Sequence, residues 1–192
     1  KRTTALAFAG AAQAKSFDFP LANVQVVVQA DGSLLVTERL TYAFSGPFSG
    51  ANRDIPLRSG ESIDQVSVLE NGRAFATGGC VEIGCSSPAG TFGVTRSGDK
   101  ERIVWHFSAA DEVRTFEIRY RMRGLAVAYD DVVDVNLQVW GSQWDQSLAQ
   151  LTATTTGPGD VVRAWGHPVW VRGDVTIDGR SANLRAVNVS PH

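Results

Sequence analysis

Between Leu34 and Phe44 the chain reads LLVTERLTYAF. Apolar side chains fall on every second position, the period of a strand with one face in a core. Leu34, Val36, Leu40, Tyr42 and Phe44 share that face, and so does Glu38. A lone carboxylate in an apolar layer costs several kcal/mol, so Glu38 demands a buried cation or a proton. Arg53 is the candidate cation. It stands in Asn52-Arg53-Asp54-Ile55-Pro56-Leu57, where Ile55 and Leu57 can anchor in the core and Pro56 marks an edge or a turn. The spacing predicts a forked, charge-assisted Arg53–Glu38 pair that pins the intervening loop, SGPFSGAN, to the sheet. That role is structural; a catalytic Glu38 is the lesser alternative, because structural ion pairs also perturb carboxylates.

Strand and turn alternate along the rest of the chain. Val24, Val26 and Val28 lead into Asp31-Gly32. A two-residue turn would set these valines beside Leu35, Thr37 and Arg39. A three-residue loop with Gly32 left-handed sets them beside Leu34, Val36 and Glu38, which joins apolar to apolar and is the register expected. Asn71-Gly72 turns a second hairpin and Ser97-Gly98-Asp99 a third. Ile103, Trp105 and Phe107 share one face of their strand. Phe116, Ile118, Tyr120 and Met122 share another, opposite Glu117, Arg119, Arg121 and Arg123. In VVDVNLQVW, alternation points Val133, Val135, Leu137 and Val139 inward, and SLAQLTATTT and PVWVRGDVTIDG are further strands. No segment beyond the Ala-rich start keeps helical periodicity over two turns. The expected fold is all-β, an antiparallel two-sheet β-sandwich. It forms one domain over residues 17–192, with Gly157-Pro158-Gly159 the one internal break. Residues 1–16 read as a signal-peptide remnant or an N-terminal arm: Lys1-Arg2 precedes an apolar stretch, and Ala12-Gln13-Ala14 fits a small-x-small cleavage pattern.

The 192 residues suffice for one sizeable β domain. A net charge of −2 points away from nucleic acid, and no apolar run is long enough to span a bilayer. The two cysteines, Cys80 and Cys85, read as a disulfide in an exported protein, closing a small loop worth about 2 kcal/mol. Their spacing is too short for a zinc site without partners. The histidines, His106, His167 and His192, are scattered away from ligand spacing, so no metal site is expected.

Three further clusters bear on function. Asp130, Asp131 and Asp134 in AYDDVVD can hold Ca²⁺, or supply one member of a glycosidase carboxylate pair. The simpler reading is a turn capped by Asp130 and Asp131 with Asp134 facing solvent. No cofactor is therefore expected, with Ca²⁺ the weak alternative. Arg119, Arg121 and Arg123 form a basic stripe that could meet anionic lipid or an acidic wall polymer, or pair with acids across strands. Trp140 and Trp170, among the tryptophans of the C-terminal half, alternate away from the presumed core. As exposed aromatics they could stack on sugar rings or mark a protein interface.

Asp31-Gly32-Ser33, Val36-x-Glu38, Phe44-x-Gly46 and Arg53-x-Ile55-Pro56, followed by Tyr120-x-Met122-x-Gly124, Tyr129-Asp130-Asp131 and Gly141-x-x-Trp144, resemble the two signatures of one domain. It is the extracytoplasmic N-terminal domain of YciQ-type bacterial predicted membrane proteins, a family of unknown function. The resemblance covers roughly residues 17–192. It implies transmembrane helices downstream and a place on the extracytoplasmic face of the bacterial cell membrane; the family offers no catalytic residues to carry over. Leu137 stands where the family usually has Trp, and the family's domain ends with one more strand than is read here. The function expected is a non-enzymatic interaction or sensing module facing an envelope protein or glycan partner. A carbohydrate-binding or glycan-processing domain built on the Trp-rich half is the alternative.

Overall fold

Alternation carries the chain through fourteen strands among the residues described by the computed structural model, 15–141, 144, 146–166 and 173–190. β1 (Ser16–Val28) turns into β2 (Leu34–Ser45), with Val24, Val26 and Val28 opposite Glu38, Val36 and Leu34. Gln29 N donates to Ser33 O at 2.8 Å to close the three-residue loop, and Gly32 is left-handed with φ 77°. β3 (Pro47–Pro56), β4 (Ser62–Glu70), β5 (Arg73–Ala74), β6 (Ala76–Thr77), β7 (Thr91–Ser97), β8 (Lys100–Ala110) and β9 (Val113–Arg123) follow. Asn71 and Gly72 both take positive φ between β4 and β5, as a type I′ hairpin turn requires. The last strands are β10 (Ala126–Ala128), β11 (Val133–Val135), β12 (Leu148–Thr156), β13 (Gly173–Asp178) and β14 (Ser181–Val189).

The strands make an eight-stranded sheet, β13-β14-β12-β1-β2-β9-β4-β5, a four-stranded sheet, β3-β8-β7-β6, and a separate β10–β11 ribbon. The two larger sheets pack through one hydrophobic core, the sandwich expected. Two pairings depart from a wholly antiparallel arrangement: β1 with β12, and β6 with β7, are parallel. The chain changes sheet at Phe75, whose N–H donates to Val68 O in the first sheet at 2.8 Å; the next residue, Ala76, donates to Gly90 O beside the second at 2.7 Å. Phe75 also meets Phe116, ring centroids 6.3 Å apart.

Aromatic rings fill the space between the sheets. Trp105 of β8 lies 5.7 Å from Phe116 of β9, and Phe107 lies 4.6 Å from the same ring. Phe116, Ile118, Tyr120 and Met122 are all buried, as their alternation predicts.

Three expectations need correction. SGPFSGAN is not a loop: it forms most of β3, an edge strand paired with β8 from Pro47 to Pro56. Gly50 permits that pairing, since a Cβ there would press to 3.0 Å from Trp105 O. The strand in VVDVNLQVW stops at Val135, and Val133 is 58% exposed, because residues 133–135 pair only with the short β10. Finally, Ser181–Val189, where alternation predicts no strand, forms β14, an interior strand between β12 and β13.

The β3–β8 pair carries an acid-sensitive fork. Arg102 Nε and Nη2 donate to Asp54 Oδ1 and Oδ2 at 2.8 and 2.7 Å. The hydrogen bonds from Arg102, working against partial burial, hold the Asp54 carboxyl below its usual range. A carboxyl lowered by folding stabilises the native state above the unfolded pKa, and that contribution is lost as pH falls through the folded one. Stability in denaturant melts should fall below about pH 4, and Asp54→Asn should flatten part of that limb. An acid limb identical in the variant would contradict the linkage.

Candidate functional site

Glu38 of β2 lies in the core at 3% exposure, and Arg53 of β3 at 2%. The two strands belong to opposite sheets, so the pair spans the sandwich. Arg53 Nε donates to Glu38 Oε2 at 2.9 Å and Nη2 to Oε1 at 3.2 Å. Tyr120 of β9 donates its hydroxyl to Oε1 at 2.7 Å, and Arg53 Nη1 donates to Asp54 O at 2.8 Å. The Glu38 carboxylate thus accepts three hydrogen bonds. Burial opposes the Arg53 charge, but the facing Glu38 carboxylate overrides it and raises the guanidinium's pKa. Burial, then the Glu38 charge, push the Tyr120 hydroxyl well above its usual range, which keeps it a donor. Two residues of the second sequence signature complete the seat. The guanidinium lies 5.4 Å from the Trp144 ring, and a Cβ on Gly141 would come within 2.9 Å of Nη1. The cluster is closed to solvent, and its bonds join a residue of each sheet, so its chemistry is to hold the sheets in one register.

The second grouping lies on the outer face of the smaller sheet. Cys80 and Cys85 are joined by a disulfide in the loop between β6 and β7. His106 points away from the core, as its parity with Trp105 requires, yet it is 3% exposed. The loop covers it: Gly79 N donates to Phe92 O at 2.9 Å, and Cys80 O lies 3.0 Å from His106 Nε2. Sequence spacing hid this meeting, because Cys80 and His106 are 26 residues apart.

The third grouping is the β10–β11 ribbon. Tyr129 N donates to Val132 O at 2.8 Å, making a turn with Asp130 and Asp131 at its tip. Asp130, Asp131 and Asp134 are all exposed. Val127, Tyr129, Val132 and Val133 are exposed as well, at 49, 61, 42 and 58%. The base of the ribbon is fixed, with Leu125 buried and Arg58 Nη2 donating to Asn136 O at 3.1 Å.

Trp140 is not where alternation put it. The strand ends five residues before it, the parity is lost, and the indole turns inward to 8% exposure. It stacks on Trp144, centroids 5.0 Å apart, and meets Phe19 edge-on at 5.4 Å. It cannot present a sugar-binding face. Trp170, His167 and His192 lie outside the described residues. The basic stripe is paired in place: Arg119 shares Glu117 with Arg39, Arg121 grips Asp64 at 2.7 and 2.8 Å, and Arg123 reaches Asp31 at 3.3 Å.

A family model described as predicted membrane protein (DUF2207) N-terminal domain matches residues 19–191. No curated protein matches the chain in sequence. Among solved structures, a putative protease from Parabacteroides distasonis ATCC 8503 is similar at 11% identity and TM-score 0.46, over 92% of this chain and 36% of that one. An M1 zinc metallopeptidase from Deinococcus radiodurans is similar at 12% identity and TM-score 0.45, over 89% and 38% respectively. The chain therefore spans less than two-fifths of either protein, and likeness at this level says nothing of activity.

The buried cluster makes a direct prediction. Tyr120→Phe removes a hydrogen bond to a charged acceptor and should lower stability by about 1.5–3 kcal/mol in denaturant unfolding. Gly141→Ala should also destabilise, since the new methyl would press on the guanidinium. A Tyr120→Phe protein as stable as the parent would show that the hydroxyl does not support Glu38.

Proposed function

The chain belongs to this family of predicted membrane proteins, and from that premise we propose that it is an extracytoplasmic interaction module whose contact surface is the β10–β11 ribbon. The observation that carries the reading is the ribbon's makeup. Four large apolar side chains within seven residues stand exposed on a short hairpin with a fixed base. Apolar patches of this kind mark contact surfaces, and an anchored base keeps the ordering cost of binding low. Three exposed carboxylates surround the patch, Asp130, Asp131 and Asp134. That charge disfavours anionic lipid and suits a protein surface with an apolar centre and a Lys- or Arg-rich rim. The Cys80–Cys85 disulfide supports the outer side of the membrane, where disulfides persist.

A photo-crosslinking amino acid at position 133 of the full-length protein, in its own cell envelope, tests the surface. The expected result is a discrete protein adduct, absent when the probe replaces the exposed Gln25 on β1 and lost on Asp130→Lys with Asp131→Lys. No adduct from position 133, or equal adducts from both positions, would contradict the reading.

A further inference from the structure

Folding brings a histidine ring nitrogen beside two sulfurs from which the sequence separates it by more than twenty residues. The Sγ atoms of Cys80 and Cys85 and a ring nitrogen of His106 lie within 4.8 Å of one another. No other triple of His, Cys, Asp or Glu does so among the described residues. The imidazole is buried and aimed at the cysteines, with Nε2 3.0 Å from Cys80 O and 3.8 Å from its Sγ. Glycines make the seat. A Cβ on Gly79 would meet His106 Cδ2 at 3.0 Å, one on Gly50 would stand 3.5 Å from Nδ1, and one on Gly93 would strike Gly79 O at 2.2 Å. The loop is therefore pressed against the sheet with the ring beneath it. Ser87 Oγ ties the loop to itself by accepting from Cys80 N at 2.9 Å. Both cysteines are partly exposed, whereas His106 is buried.

We propose that Cys80, Cys85 and His106 form a binding site for a thiophilic d¹⁰ cation, Zn²⁺ or Cu⁺, which the disulfide masks and dithiol reduction opens. The reduction balances. A dithiol delivers two electrons and two protons, the Cys80–Cys85 S–S bond breaks to two thiols, and the dithiol becomes a disulfide. The cation then displaces one proton from each thiol to solvent. Two thiolates and the lone pair of His106 Nε2 are the donors, and the ring proton resides on Nδ1. The hydrogen bond from Nε2 to Cys80 O is given up in exchange. Two sulfurs and an imidazole select zinc or cuprous ions over Ca²⁺ and Mg²⁺, which favour oxygen. Donor distances of about 2.3 Å to sulfur and about 2.0 Å to nitrogen are reached by small movements from atoms already clustered. Disulfide and metal exclude each other, so the site is occupied only where the cysteines are reduced.

The test uses the 192-residue chain, reduced with a dithiol that is then removed under anaerobic conditions, and Co²⁺ as the optical probe for Zn²⁺. The reduced protein should bind one Co²⁺ with a thiolate-to-cobalt charge-transfer band, and Zn²⁺ should displace it. The oxidised protein should show no band. His106→Gln should weaken Zn²⁺ binding by more than about tenfold, the loss that follows removal of even an outer-shell partner. Cys85→Ser, which leaves His106 in its seat, should abolish the band. Chelator competition with Cu⁺ and with Zn²⁺ then identifies which of the two binds more tightly. Absence of the band in the reduced protein, or Zn²⁺ affinity unchanged by His106→Gln, would overturn the proposal.

Discussion

The fork between Arg53 and Glu38 joins the two sheets at their centre, and much of the fold is arranged to permit it. Each charge on its own would be costly in a core lined by Trp105, Phe116 and Ile118. The cost is offset by four hydrogen bonds. Nε and Nη2 reach the carboxylate, Nη1 reaches a backbone carbonyl, and Tyr120 supplies a further donor. Because hydrogen-bond geometry is directional, this cluster specifies position more sharply than apolar packing does. One register of β3 against β2 and β9 satisfies it. The same guanidinium lies against Gly141 and the Trp144 ring, and Trp144 in turn meets Phe19 and Trp140.

The two solvent-facing groupings follow from how the remaining surface is closed. On the larger sheet, Arg39 reaches Glu117 and Arg121 reaches Asp64 across strands, while Arg119 shares Glu117 within β9, which leaves that face laced with ion pairs. On the smaller sheet the cysteine-bearing loop lies over His106 and buries it. The ribbon is different in kind. It projects exposed apolar side chains, and it carries exposed acids at its tip. An exposed apolar hairpin on a rigid base suits contact with another molecule, and the membrane-protein family supplies a setting for one.

How much of this was legible in the sequence depended on whether a residue's role is local. The alternation in 34–44 and 116–122 placed the core correctly, and the mismatch at Glu38 pointed to Arg53. The β1–β2 register followed from matching apolar faces around Gly32. Reading failed where alternation was interrupted. β3 carries Gly50 and two prolines, Pro47 and Pro56, poor strand formers made extended by pairing with β8. In β14, Asn188 takes positive φ, so Ala186 and Val189, three residues apart, are both buried; no period-two pattern survives that. Trp140 was misplaced by extending a parity beyond the strand that carried it. The Cys80–His106 meeting and the parallel β1–β12 pair arise from long-range topology, for which local spacing holds no signal.

The most direct test of the central claim is a double-mutant cycle on Glu38→Gln and Arg53→Met, read by reversible denaturant unfolding. Each single change strands a buried partner, whereas the double change strands neither charge. A coupling energy of at least about 2 kcal/mol, with the double variant losing less than the sum of the singles, is the predicted result. Additive losses, with coupling near zero, would show that the sheets are held by apolar packing alone and that the fork is incidental.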